Sequence, residues 1–507
     1  MNDSPVPNYY NSSEILNGQI ASPQKEKPAY TKAELVISAA VAVIAFLYVR
    51  YAIFNIMGFI TTAVFIAVIT TVIVYLKNKG FTFSRVNIAI AAVLYIFSFV
   101  FSITANDLIK WLDLMFLFTA GAYLVYSVTA AKSDIERFLP FAFIKSIFVY
   151  PFSKFDSQGK IAADSVKGSK VGSNLKLVLL GLVVTVPLTA VVGALLMSAD
   201  DGLEKLLTGI ADRVFSEDIW ILLAEIGLAV PCSMYLFGMI YANSFRSDID
   251  EINDEECSRK LESARFIRNL VIYTAVTPIC ILYVMFFVSQ ASYFLSAFMN
   301  ALPEGYSYAD YARRGFFELF AVSLINMGVI TGMSLHSKQG GREKPAALKF
   351  YTVMLSVFTL ILIATAISKM LMYISVYGLT QLRVYTTWFM ALMAIIFVMV
   401  IIKQFRFDFH FARHFSIAFT LMFALLCFAR PDSLIAAYNI GMYNAGYLKE
   451  LDTDAIMRMS DDAVLTAVNM GAVSDEEAAD RAEGKYRRDS LSMYNISSLL
   501  LNRKISD

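Results

Sequence analysis

Long apolar runs separated by short polar segments dominate the chain between residues 33 and 429. A bilayer core about 30 Å thick needs about 20 apolar residues in a helix, so each run predicts a transmembrane helix. Eleven spans are predicted in this way: 34–51, 56–76, 86–103, 111–131, 175–197, 219–244, 270–288, 316–335, 350–373, 384–402 and 411–428. Only a few residues separate the first two runs, which therefore either form a tight hairpin or reduce the count of spans.

The two ends of the chain differ from this central region. Residues 1–32 are polar and rich in Asn, Ser and Pro, a composition typical of disorder. They lack the features of a cleavable signal peptide, so the first span is expected to act as a signal anchor. Residues 430–507 carry apolar residues at helical spacing and predict a small helical extension. The sequence thus predicts an all-α polytopic bundle, a transmembrane domain over residues 33–429 and a C-terminal extension.

Lysine and arginine predict the orientation of the bundle. With the N-terminus in the cytoplasm, 26 basic residues fall on the cytoplasmic side and 8 in the outer loops before residue 429. This asymmetry follows the positive-inside rule. An odd number of spans then places the C-terminal extension outside the cytoplasm.

Composition narrows the class of protein further. Hydrophobic residues make up 57% and charged residues 17% of the 507 residues, against about 45–50% and about 25% in soluble domains. The 43 basic residues nearly balance the 42 acidic ones, which argues against a nucleic-acid partner. Four widely spaced cysteines predict neither a disulfide framework nor a thiolate metal site. Common phosphate-binding, zinc-protease and hydrolase motifs are absent, so an enzyme is the less favoured class and no cofactor is expected.

The richest polar segment, residues 302–326, enters the eighth predicted span from the outer side. Arg314 and Glu318 are four residues apart and share a helix face, and Asn326 lies about two turns deeper. One interpretation is an ion pair that orients the helix beneath an aromatic belt. The other is that Arg313 or Arg314 meets an anionic headgroup or a small anion, while Glu318 fixes the guanidinium.

A second outer cluster lies between residues 368 and 383. Lys369 can extend its amine towards the interface, and Gly378 is a plausible helix end. Arg383 opens the tenth span, where a cation is unfavourable unless an anion or a carboxylate such as Glu318 joins it. The predicted anion site therefore comprises six residues: Arg313, Arg314, Glu318, Asn326, Lys369 and Arg383.

Other ionisable groups in or near the spans leave alternatives open. Glu225 and Asp113 are each either hydrated near the interface or part of a buried polar site. His410 and His414 have a spacing that can bind metal, but Arg413 beside them would repel a cation, so no metal site is predicted.

Four strings, LLMSADDGLEKLL (195–207), LPEGYSYADYARRGFFEL (302–319), YISVYGLTQLRVYTTWFM (373–390) and PDSLIAAYNI (431–440), resemble a bacterial family of polytopic membrane proteins catalogued as a domain of unknown function. The resemblance covers roughly residues 175–445. It implies a bacterial cell membrane and no established substrate, cofactor or catalytic residue. Where the family tends to have arginine, this chain has Lys369, which keeps the charge and loses the two-pronged donor geometry.

Two functional hypotheses follow. One is a transporter-like or lipid-handling protein whose outer polar cluster binds an anionic lipid or a small anion. The alternative is a non-enzymatic membrane sensor or scaffold that binds a protein partner through its outer segment and C-terminal tail.

Overall fold

The computed structural model describes residues 30–135, 138–166, 192, 217–245, 254–265, 267–289, 316–337, 345–406, 408–485 and 494–506. Helices account for the regular structure of these residues. In the first half they are α1 (Lys32–Tyr48), α2 (Phe59–Asn78), α3 (Arg85–Ser98), α4 (Val100–Ile103), α5 (Asp107–Thr129), α6 (Leu139–Ile144), α7 (Tyr150–Ser153), α8 (Ser157–Val166) and α9 (Glu217–Ser244).

The remaining described helices fall into a membrane group and a terminal group. A short charged helix, α10 (Asp254–Ala264), precedes the membrane group, which consists of α11 (Asn269–Ser289), α12 (Phe316–His336), α13 (Ala346–Tyr377), α14 (Gln381–Phe405) and α15 (Phe411–Phe428). The terminal group is α16 (Pro431–Asn444), α17 (Thr453–Arg458), α18 (Asp461–Asn469), α19 (Asp475–Lys485) and α20 (Ile496–Ser506).

Ten helical segments of the described residues are long and apolar enough to cross a membrane. They coincide with ten of the eleven predicted spans, and the predicted span 175–197 lies outside the described residues. The predicted all-α polytopic bundle is therefore confirmed, and the chain is a multi-pass membrane protein.

The first two spans form a tight hairpin. Helix α1 continues into a π-helical turn, Val49–Ile53, and five residues separate this turn from the start of α2 at Phe59. The N–H of Phe54 donates to the carbonyl of Val49 at 3.0 Å, which is the wider hydrogen-bond ring of a π turn. The turn directs Arg50 towards α9, where the guanidinium meets Glu225.

The spanning helices pack into two groups with separate apolar cores. The first bundle consists of α1, α2, α3, α5 and α9, and it also takes up the end of α15 through Phe423, Leu426 and Cys427. The second bundle consists of α11, α12, α13 and α14 around residues such as Leu355 and Phe397. Helices α14 and α15 pack on each other and so connect the two bundles.

Side-chain caps explain where several helices begin. The side chains of Ser84, Asn106 and Thr380 each accept a hydrogen bond from the backbone N–H three residues on, at the starts of α3, α5 and α14. For α5 this cap sets the start at Asp107, four residues before the predicted boundary. Asp113 consequently lies almost two turns inside the helix.

Helices α16–α20 form the C-terminal module, residues 430–506, which has its own apolar core around Val464 and Ile456. Two buried aspartates tie it to the ends of the spanning helices. Asp462 accepts from the Thr104 hydroxyl at 2.5 Å and the Ala105 N–H at 2.9 Å. Asp432 accepts from the Asn106 amide at 2.9 Å and the Gln381 amide at 2.8 Å. We call this end of the bundle the tail side and the opposite end the loop side.

The loop side is covered by α6, α7 and α8. Tyr150 is buried and its ring stacks with that of Tyr126 on α5. A Cβ atom at Gly238 of α9 would collide with the carbonyl oxygen of Pro151, so glycine at this position allows α7 to approach α9 closely.

Candidate functional site

The structure brings two of the six predicted anion-site residues together. Glu318, in the first turn of α12, interacts electrostatically with half-buried Lys369 of α13. These residues are 51 positions apart in sequence and come from neighbouring helices of the second bundle. Arg313 and Arg314 lie outside the described residues.

Arg383 contacts carbonyl groups. Its Nη1 donates to the carbonyls of Tyr377, at 3.0 Å, and Gly378, and its guanidinium stacks over the Tyr373 ring with 4.1 Å to the ring centroid. Gly378 has φ of +72°, which places the end of α13 where this contact is possible. The carbonyls at the negative end of α13 thus offset the unfavourable position of Arg383 at the start of α14.

Asn326 connects three helices of the second bundle. Its Oδ1 accepts from the Tyr283 hydroxyl at 2.6 Å, and its Nδ2 donates to the Thr359 hydroxyl at 2.8 Å. The side chain is fully buried and both of its polar atoms have partners. This geometry is that of an interhelical link in a membrane protein.

These placements divide the predicted set into three parts. Glu318 and Lys369 meet at the tail-side end of the second bundle, and Arg383 stacks on Tyr373, one turn along α13 from Lys369. Asn326 lies eight residues, or about 12 Å, below Glu318 on α12. An anion-binding role for these residues stays a prediction.

Glu225 belongs to a buried polar site. Its side chain is 5% exposed, and its Oε2 lies 3.4 Å from Nη1 of Arg50. Of the two interpretations left open by the sequence, hydration near the interface is therefore the wrong one. The π turn that carries Arg50 was not visible in the apolar pattern, since a pattern of apolar residues does not show a change of helix type.

Asp113 is buried without a hydrogen-bond partner among the described residues. Its side chain has no exposure, and among the described residues neither carboxylate oxygen has a hydrogen-bond partner. Lys110, one turn away and also buried, donates from Nζ to the carbonyl of Met57 at 2.6 Å. An unpaired polar group in an apolar interior is costly, so Asp113 is a structural liability at its present position.

Replacing Asp113 with leucine is expected to stabilise the folded protein by about 1–3 kcal/mol, because the variant no longer buries an unsatisfied carboxyl group. Thermal unfolding of the purified protein in detergent measures the change. Asp107→Leu, at an exposed position on the same helix, is the control and should not raise stability. A destabilised Asp113→Leu variant would instead show that the carboxylate is charged and balances Lys110.

Of the two histidines considered for metal binding, His414 makes other contacts with its ring. The His414 ring stacks on Phe409, with 4.3 Å between centroids, and its Nδ1 lies 2.8 Å from the carbonyl oxygen of His410. Within the described part of the chain, no group of three or more His, Cys, Asp or Glu side chains is placed to hold a metal ion.

A large apolar groove lies where the two bundles face each other. It has a volume of about 1,010 Å³ and is bounded by α3, α5 and α6 on one side and by α14 and α15 on the other. Its lining is almost entirely aliphatic and aromatic, and Phe320 of α12 contributes at the second bundle. The volume is at the upper end of the range for pockets that hold small molecules.

The groove runs along the direction in which the helices cross the membrane. On α5 its lining extends from Leu108 to Tyr123, a distance of about 23 Å at 1.5 Å per residue. This is most of the hydrocarbon thickness of about 30 Å. Leu112, Met115 and Leu421 line the groove and are exposed on the molecular surface, so the groove opens sideways at membrane depth.

Each end of the groove carries polar groups. At the tail side Tyr385 and Thr386 line it, and the Tyr385 hydroxyl accepts from the Asn106 amide at 2.8 Å. At the loop side it ends at Asp134 and Arg413, whose Oδ2 and Nη1 lie 3.3 Å apart. The groove is thus apolar along its length and polar at its ends, as a membrane lipid has apolar chains and a polar headgroup.

The sequence alone does not reveal the groove, because each of its helices contributes only one face to the wall.

The family described as Domain of unknown function (DUF4153) matches residues 89–470, which is more than half of the 507-residue chain. The chain belongs to this family. The predicted resemblance to a family of unknown function is thus confirmed, and the DUF4153 region extends beyond 175–445 in both directions. It includes most of the groove and much of the C-terminal module. No curated protein and no solved structure matches the chain.

Proposed function

We propose that this DUF4153 protein binds membrane lipid in its lateral groove and belongs to the lipid-handling class of integral membrane proteins. The observation that carries the proposal is the groove itself: it is apolar, about 1,010 Å³ in volume and open at membrane depth. An acyl chain gains little hydrophobic free energy by moving from the bilayer to an apolar groove, since both are apolar. Binding there depends on close van der Waals contact between the chain and the wall of the groove. The aromatic ladder of Phe415, Phe419 and Phe423 along α15, with rings about 6 Å apart, provides that contact.

The lining also limits what the groove does. Between its two ends the wall offers few polar groups, such as the hydroxyls of Thr119, Ser416 and Thr420. A charged headgroup crossing the groove lengthwise would leave water without compensating contacts, at high cost. The groove is therefore a site that holds chains, with the headgroup at one end.

For location we propose a bacterial plasma membrane with the N-terminus in the cytoplasm. The distribution of basic residues supports this orientation: before residue 429, 26 lie on the side of the membrane that holds the N-terminus and 8 lie on the opposite side. The C-terminal module then lies outside the cytoplasm, and the Asp134–Arg413 end of the groove lies at the inner leaflet.

A pair of alanines on α3 tests the proposal. Ala89 and Ala92 are both exposed, and Ala89 lines the groove while Ala92 does not. Ala89→Trp is expected to obstruct the groove at its α3 wall and to reduce the phospholipid that co-purifies with the full-length protein by about half or more, given the size of the side chain. Ala92→Trp adds the same side chain to the same helix and should leave retention unchanged.

Phospholipid retained per protein after detergent exchange, measured by lipid extraction and mass spectrometry, is the readout. Equal retention in the wild type and both variants would overturn the lipid proposal. In that case the alternative class, a sensor or scaffold that binds a protein partner through the C-terminal module, becomes the better hypothesis.

A further inference from the structure

The loop-side end of the groove is closed by two opposite charges. Asp134 lies five residues after the end of α5, and Arg413 is the third residue of α15. Asp134 therefore lies in the loop between α5 and α6, and Arg413 lies in the first turn of α15. The ion pair joins the loop after α5 to the start of α15, and it borders the apolar part of the lining formed by residues such as Ile135 and Leu139.

This ion pair is open to a competing ligand. The side chains of Arg413 and Asp134 are 50% and 39% exposed, and the single contact between them, 3.3 Å, is long for charged groups. Exposed pairs of this kind contribute little to stability. A ligand that satisfies both charges can therefore replace the contact at small cost.

We propose that Asp134 and Arg413 bind the headgroup of a zwitterionic phospholipid that carries a primary amine, with its chains in the groove. The phosphate accepts hydrogen bonds from the Arg413 guanidinium, which suits phosphate oxygens in both charge and geometry. The ammonium donates to the Asp134 carboxylate. This inference rests on the proposed function, since it assigns the headgroup of the lipid whose chains occupy the groove.

Charge complementarity selects this occupant over an anionic phospholipid. The pair presents one positive and one negative group, which matches a headgroup with one phosphate and one amine. An anionic headgroup without an amine would satisfy Arg413 and leave its negative charge beside Asp134. A quaternary amine, as in a choline headgroup, has no N–H to donate to the carboxylate.

The experiment uses the full-length protein exchanged into vesicles of equal parts phosphatidylethanolamine, phosphatidylglycerol and phosphatidylcholine, then extracted and analysed for bound lipid. The wild type is expected to be enriched in phosphatidylethanolamine over the other two. Asp134→Asn should lower the ratio of bound phosphatidylethanolamine to bound phosphatidylglycerol by about two- to fivefold. This is the change in affinity expected for the loss of one exposed ion pair. Total bound phospholipid should stay the same. Arg413→Gln should reduce the retention of all three lipids, because each carries a phosphate.

The matched control is Asp156→Asn. Asp156 forms an exposed ion pair with Lys160 on the loop side and does not line the groove, so this variant should leave the lipid ratio unchanged. An unchanged ratio in Asp134→Asn, or an equal change in Asp156→Asn, would overturn the headgroup assignment. Failure of the proposed function is distinguishable, because it appears as retention that Ala89→Trp does not reduce.

Discussion

Asp462→Ala is expected to release the C-terminal module from the bundle and to lower the free energy of unfolding by about 3 kcal/mol. The Asp462 carboxylate is fully buried and accepts hydrogen bonds from both sides of the junction. From the bundle come the Thr104 hydroxyl and the Ala105 N–H. From the module come the Arg430 guanidinium at 3.0 Å and the Ser497 hydroxyl. Removing it leaves the mostly buried Arg430 charge without its carboxylate, which is the costly outcome for a buried ion pair.

Two measurements check this result. Unfolding in detergent by denaturant titration gives the free energy, and limited proteolysis reports whether residues 430–506 become accessible. Asp480→Ala, at an exposed position on α19, is the matched control and should change neither measurement. Wild-type protease resistance in Asp462→Ala would show that the junction does not depend on this carboxylate.

Lys79→Met is expected to cost about 3 kcal/mol of stability, because it leaves a buried carboxylate without its cation. Glu34, at the start of α1, is 1% exposed, and its Oε1 lies 2.6 Å from Nζ of Lys79 at the end of α2. In the variant, the Glu34 carboxylate keeps the hydrogen bond that it accepts from the N–H of Thr31, at 2.7 Å. The ion pair thus connects the loop-side ends of the first two spans.

Thermal unfolding of Lys79→Met, Lys77→Met and a double variant separates charge from packing. Lys77 is exposed, lies two residues away and has the same side chain, so its replacement should have little effect. Glu34→Gln combined with Lys79→Met should recover part of the loss, because no unpaired charge remains. If the double variant is the least stable of the set, the ion pair is not the source of the effect.

The apolar pattern predicted the spanning helices well because hydrophobic length is a local property. Their ends were predicted less well. Helix α13 begins four residues before and ends four residues after the predicted span 350–373. Helix α5 begins at Asp107, directly after its Asn106 cap and four residues before the predicted span 111–131. A hydropathy window stops at the first charges, whereas the helix continues until its caps. For α5 this difference changes the environment of Asp113 from the interface to the interior.

Contacts between residues far apart in the chain could not be predicted from the sequence, for a different reason. Spacing of four residues predicts neighbours on one helix, as for Arg314 and Glu318, but it does not reveal which helices pack together. Glu318 with Lys369, Arg50 with Glu225 and Asp134 with Arg413 depend on that packing. The groove depends on it as well, since its walls come from helices of both bundles.

The junction at the tail side also has a consequence for how the protein is made. Asp432 and Asn439 hold the turn between α13 and α14, with the Asn439 amide bonded to both the N–H and the carbonyl of Leu379 at 2.6 and 2.9 Å. Asp462 meanwhile holds the turn before α5. The segment that fastens both bundles is thus translated after all of the helices that it joins. Until residues 432–462 have been made, the inserted helices lack these buried aspartate and asparagine contacts, so the assembly of the two bundles is completed only after their insertion.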